Sequence, residues 1–136
     1  LLFFIFTLFS CENESNPISP IPDVQVREQV NLNSVEALPL KLRDGNFIYI
    51  RGGIKGIIVY RRSPDNFVAL ERKSPYQIED SCGIVSVHSS QLYLVDSCHS
   101  LTFDWEGRPT GGPNKSVMKT YRVEYLNNFT LLISNP

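Results

Sequence analysis

The chain has 136 residues, 42% of them hydrophobic and 20% charged, with a net charge of -1. That length fits one domain with an N-terminal extension, and the apolar fraction is sufficient for a small core. Thirteen Lys and Arg are matched by fourteen Asp and Glu without a long basic run, which argues against nucleic-acid binding through clustered phosphate contacts. The short basic pairs Arg61-Arg62 and Arg72-Lys73 read as solvated strand ends.

Residues 1–10 are nearly all apolar and Cys11 follows. A membrane-spanning helix needs about 20 apolar residues, so this run is too short to cross and fits the apolar core of a secretory signal peptide. No Met and no basic segment precede it, which predicts that the first few residues of the leader are missing. Leu8-Phe9-Ser10-Cys11 resembles a lipobox, although Phe9 is bulkier than the small residue usual there. The resemblance implies cleavage before Cys11, acylation of that cysteine and a place in the bacterial cell envelope, in the outer membrane or at the cell surface. Residues 11–22 carry three prolines and an acidic start, so they are expected to form a flexible tether between the anchor and a domain over residues 23–136.

From Asp23 onward the pattern is that of strands. Val24, Val26, Val30 and Leu32 alternate with polar residues. Leu38, Leu40 and Leu42 alternate too, and Pro39 among them predicts an edge strand. Asp44-Gly45 marks a turn before the strand Phe47 to Ile50. A hairpin is expected from Ile57-Ile58-Val59-Tyr60, Ser63-Pro64-Asp65-Asn66 and Phe67-Val68-Ala69-Leu70. A loop through Ser74-Pro75-Tyr76 to Cys82 leads to a strand at Ile84 to Val87, with His88 in an exposed turn before Leu92 to Val95. Gly107 to Pro113 reads as a loop, and the strands Thr120–Leu126 and Phe129–Ile133 close the chain around Asn127-Asn128. Short strands with Gly, Pro and Asn turns and no sustained helical period predict an all-β sandwich or small barrel.

The segment Asp96-Ser97-Cys98-His99 draws attention because it pairs a cysteine with one of only two histidines. A nucleophile–base pair or a zinc pair is one reading. Adjacent side chains on a strand-like segment point to opposite sides, which argues against a shared ligand.

The order of elements resembles the Rieske iron–sulfur domain over about Asp23 to Ile133. Val68-Ala69-Leu70, Phe103-Asp104, Gly107, Gly112-Pro113 and Tyr121-Arg122-Val123 carry the resemblance. It implies a Rieske-like β fold with an inserted two-loop subdomain of the cluster-binding type. In that family one loop supplies Cys-x-His, a second supplies Cys-x-x-His followed by Gly-Ser-x-Phe-Asp, and a Gly-Pro loop shields the cluster. Here the ligand positions hold Ser74, Tyr76, Asp96 and His99, and Ser100-Leu101 replaces Gly-Ser. A 2Fe–2S cluster of this type needs two thiolates on one iron and two imidazoles on the other. Ser and Asp oxygens are hard ligands that suit an iron–sulfide core poorly. No cluster and no metal are therefore expected. The alternative is an electron-transfer protein holding a 2Fe–2S cluster or another metal at Asp96, His99 and Tyr76. The resemblance also implies a Cys82–Cys98 disulfide joining the two loops, in line with an exported chain. An envelope binding or accessory module, with an unidentified protein or small-ligand partner, follows as the leading expectation. An enzyme using the same polar pocket has least support, since no paired-carboxylate or Ser/His/Asp pattern is visible.

Overall fold

The structure, a computed structural model, describes residues 17–136. The expected signal peptide, Cys11 and the start of the expected tether lie outside the described residues. Strand β1 is Arg27–Asn31, followed by the only helix among the described residues, α1 at Leu38–Leu42. Then come β2 (Phe47–Ile50), β3 (Ile57–Ser63) and β4 (Asn66–Glu71). Four short strands follow, β5 (Ser86–Val87), β6 (Leu94–Asp96), β7 (Leu101–Phe103) and β8 (Pro109–Gly111). The chain closes with β9 (Thr120–Asn127) and β10 (Thr130–Ser134). The protein is all-β, with a six-stranded sheet in the order β1-β10-β9-β4-β3-β2 and a four-stranded sheet in the order β5-β6-β7-β8.

The small sheet is one continuous meander inserted between β4 and β9, which are themselves neighbours in the large sheet. Every pair of adjacent strands is antiparallel. Two hydrophobic cores result, and β3 and β4 serve both. Side chains alternate across a strand, so Ile57, Val59 and Ala69 enter a core with Val26, Val30, Leu40, Leu131 and Ile133. Ile58 and Leu70 face the other way and pack with Val85, Leu94, Leu101, Phe103 and Met118 from the inserted unit. A strand buried on both faces reads as a continuous apolar run, which accounts for Ile57-Ile58-Val59.

Several local expectations are corrected. Leu38–Leu42 is a helical turn rather than an edge strand. Its buried residue is Leu40, three positions after the buried N-cap Ala37, while Leu38 and Leu42 are exposed. Pro39 falls in the first turn, where a missing N–H leaves no bond unmade. Gly107–Pro113 is not wholly a loop, because Pro109–Gly111 pairs with β7. Ile84 makes only an isolated bridge to Lys73, and the strand β5 is two residues long. His88 is half-buried and stacks on Tyr93 at 4.2 Å between ring centroids. Of the basic pairs, Arg62 is solvated, with an exposed partner in Glu106, while the other three residues are tethers. Arg61 donates to Asp44 and to the carbonyls of Leu40 and Lys41. Arg72 donates to the Val85 carbonyl and lies 4.2 Å over the Tyr49 ring. Lys73, 6% exposed, donates to the Asp80 carbonyl.

One buried charge ties the sheets' connections together. Glu71, fully buried at the end of β4, accepts from the backbone N–H groups of Ile54, Lys55 and Lys73 and from the Tyr121 hydroxyl, at 2.7–2.9 Å. A buried carboxylate is tolerated when it is fully hydrogen-bonded. Gly53 is required beside it: φ is +62°, and a Cβ there would stand 2.0 Å from Glu71 Oε2.

Candidate functional site

The two loops that flank the small sheet's first two strands meet at one corner. The first, between β4 and β5, carries Ser74, Tyr76, Asp80 and Cys82. The second, between β6 and β7, carries Cys98, His99 and Ser100. A disulfide joins Cys82 to Cys98, with the Cα atoms 6.0 Å apart. Both half-cystines are exposed. Closing a loop of this length stabilises a domain by about 3 kcal/mol in the chain-entropy model.

Asp96 ends β6 and is fully buried. Its Oδ1 accepts from the backbone N–H of Cys98 at 3.0 Å and of His99 at 3.3 Å, folding residues 97–100 into a turn. Ser100 completes that turn at φ +54°, the left-handed region. Because the segment is a turn, the neighbouring side chains of Cys98 and His99 converge. Cys98 Sγ lies 3.9 Å from His99 Nε2. This corrects the expectation that they point to opposite sides.

His99 is gripped between two carboxylates. Nδ1 lies 2.8 Å from Asp96 Oδ2 and Nε2 lies 2.9 Å from Asp80 Oδ2. The imidazole pKa is raised above its ordinary value, chiefly by the hydrogen bond to Asp80 and then by that to Asp96, against opposing desolvation. Protonated, the ring donates through both nitrogens, and a single side chain links the two loops. The Tyr76 ring meets the His99 ring edge-on at 5.3 Å between centroids. Ser74 is fully buried and close by: a Cβ added to Gly83 would stand 3.0 Å from Ser74 Cβ and 3.2 Å from His99 Cε1. The four positions singled out in the sequence, Ser74, Tyr76, Asp96 and His99, are therefore clustered at one corner. Asp80 belongs with them, and sequence reasoning misses it. No motif marks an aspartate in a loop of unknown path.

The donor set fits a 2Fe–2S cluster poorly. Two thiolates and two imidazoles are required; the corner offers one imidazole with both nitrogens engaged, and its two sulfurs are joined to each other. His99 Nε2 faces the exposed Asp80 carboxylate and the Cys98 sulfur. Gly112 packs its backbone against the second loop, where a Cβ would stand 2.9 Å from the Ser100 carbonyl oxygen. Compared with models of known protein families and with curated proteins, the sequence matches none.

Proposed function

We propose that the protein is a cluster-free, Rieske-like envelope lipoprotein, a binding or accessory module rather than an enzyme. The observation that carries this reading is the place of the crosslinked corner. It is formed by the β4–β5 and β6–β7 loops of a four-stranded unit inserted into a larger sheet, the arrangement expected of a two-loop cluster domain. A finer feature agrees. The position after His99, where the resemblance expects glycine, is held by Ser100 at φ +54°, a conformation glycine adopts freely and other residues rarely.

In this reading Asp96 has replaced a ligand and its carboxylate now shapes the turn and holds His99. The loops keep their relative position through a disulfide and a carboxylate–imidazole–carboxylate bridge. The alternative, an electron-transfer protein with iron held by Asp96, His99 and Tyr76, would require His99 to release one of its carboxylates. Iron and acid-labile sulfide analysis with visible absorption on the purified full chain separates the two. A colourless, iron-free protein is expected, and stoichiometric iron with sulfide charge-transfer bands would sink the cluster-free reading. Fatty-acid labelling in cells tests the anchor: Cys11→Ser is expected to abolish the label, and retained label refutes lipidation at that residue.

A further inference from the structure

The corner holds more than a static crosslink. Cys82 Sγ, Cys98 Sγ and a ring nitrogen of His99 all lie within 4.8 Å of one another. His99 Nε2 is 3.9 Å from Cys98 Sγ, and Asp80 Oδ2 is 2.9 Å from the same nitrogen. In a tetrahedral zinc site, bonds of about 2.3 Å to sulfur and about 2.0 Å to nitrogen or oxygen place neighbouring donor atoms roughly 3.3–3.8 Å apart. Two sulfurs and one imidazole nitrogen are thus already gathered at one point, the sulfurs joined to each other, and the Asp80 carboxylate adjoins them through its hydrogen bond to His99 Nε2.

The support for the histidine is also that of a metal ligand. Histidines that ligate metals almost always donate their other ring N–H to a carboxylate or carbonyl, which fixes the tautomer and aims the free nitrogen. Asp96, fully buried and anchored by two backbone N–H groups, does this to Nδ1. Nε2 is left facing Cys98 and Asp80. Only the disulfide withholds the thiolates.

We propose that the Cys82–Cys98 disulfide gates a zinc-type metal site whose ligands are Cys82 Sγ, Cys98 Sγ, His99 Nε2 and Asp80 Oδ2. The gate opens by thiol–disulfide exchange. A dithiol reductant gives up two electrons and two protons, the Cys82–Cys98 bond breaks, and the reductant leaves as its own disulfide. Both half-cystines are exposed to such a reagent, and exposed disulfides are the more readily reduced. A divalent zinc ion then displaces the two thiol protons and any proton on Nε2. Soft thiolates with imidazole favour zinc over hard cations such as magnesium or calcium. Exchange with a disulfide oxidant, which takes two electrons from the two thiolates and leaves as its own dithiol, restores the crosslink and ejects the metal. The corner therefore remains pinned in both redox states, by a covalent bond in one and by a metal in the other. Of the four cluster positions the site uses only His99, through the observed contacts of that residue, so it does not depend on the Rieske-like reading.

The test uses the full chain carrying Cys11→Ser, so that Cys82 and Cys98 are its only thiols. It is kept oxidised or reduced with a phosphine and titrated with cobalt(II) and with zinc against a chromophoric chelator. Reduced protein is expected to bind one metal per chain and to show the thiolate-to-cobalt and visible bands of a tetrahedral site. Oxidised protein should show neither. Cys98→Ser should weaken zinc binding at least about 100-fold. Asp96→Asn should weaken it about 10-fold, the range typical of a carboxylate that orients a ligand. Reduced wild type alkylated at both thiols serves where a cysteine variant does not fold, and it should bind no metal. If reduction unfolds the domain, restoration of the native circular dichroism by zinc supports the site. Failure of zinc to restore it, an octahedral cobalt spectrum, or equal binding by oxidised protein overturns the proposal.

Discussion

Glu71 offers the sharpest test of the fold's energetics, because its four partners and their directions are known. Oε1 accepts from the N–H groups of Lys55 and Lys73, and Oε2 accepts from the N–H of Ile54 and the hydroxyl of Tyr121. Glu71→Gln keeps the shape and exchanges one acceptor oxygen for an NH2 donor. Placed at the Oε1 position, that NH2 would face two backbone donors that cannot reverse. At the Oε2 position the Tyr121 hydroxyl can rotate and accept, so only the Ile54 N–H is orphaned. The second arrangement is preferred. One orphaned buried N–H costs about 1–3 kcal/mol, and the three surviving bonds each lose part of their charge assistance. The sum is about 3 kcal/mol, a large share of the roughly 5–15 kcal/mol that holds a domain together. In urea unfolding the midpoint should fall by about 1.5–2 M for an m-value of about 1.5–2 kcal/mol/M, with m unchanged. A double-mutant cycle sharpens the test: Tyr121→Phe should be less destabilising in the Glu71→Gln background than in the wild type, where it removes a donor from a buried carboxylate. A Glu71→Gln midpoint within experimental error of wild type would falsify the account of Glu71 as the organising acceptor.

Three further outcomes follow from the same geometry. Burial, and then the hydrogen bond to Glu71, raises the Tyr121 pKa well above the ordinary phenol value. The stability tied to the neutral phenol is therefore complete below about pH 10, the unfolded value, and is lost as pH rises through the folded one. Stability read from urea unfolding should fall less steeply with pH above about 10 in Tyr121→Phe than in the wild type, and equal slopes refute the assignment. Reducing the Cys82–Cys98 bond in metal-free protein should lower stability by about 3 kcal/mol, read as a fall in the urea midpoint. A count of two free thiols in unreduced Cys11→Ser protein would show that the bond does not form. Ser100→Gly should raise stability by about 1 kcal/mol, since the left-handed backbone at φ +54° strains a residue with a Cβ; a loss of stability would mean that the serine side chain contributes more than the strain removes.

Much of the sheet is legible in the sequence because its signals are local. The hairpin of β3 and β4 is announced by Ser63-Pro64-Asp65-Asn66 between two apolar runs, and that of β9 and β10 by Asn127-Asn128. The helix at Leu38–Leu42 is not, since five residues with leucine at every second position satisfy either period and only the burial of Ala37 with Leu40 decides. Glu71 escapes for a different reason. A glutamate ending a strand reads as solvent-facing, and its acceptor role exists only once the turn at residues 52–55 folds over it. At the corner, the clustering of Ser74, Tyr76, Asp96 and His99 is anticipated by the two-loop resemblance. The convergence of Cys98 with His99 is not, because it depends on the turn that Asp96 imposes by accepting two backbone N–H groups.

That turn also explains how one aspartate can serve two ends. In the oxidised protein Asp96 spends Oδ1 on shaping residues 97–100 and Oδ2 on aiming His99. None of these three hydrogen bonds involves a sulfur, so breaking the S–S bond leaves the loop and the ring held. Asp80 differs: its carboxylate is half exposed and holds only the outer nitrogen of His99, so it can move toward an incoming cation while Asp96 stays fixed. The physical division is between a buried carboxylate that sets geometry and an exposed one that is free to exchange partners. Asp80→Asn should therefore change metal affinity in the reduced protein with little effect on the oxidised fold. Asp96→Asn should disturb both, because an amide NH2 in its place opposes backbone or ring donors. Equal effects of the two substitutions on the oxidised protein's stability would remove that distinction.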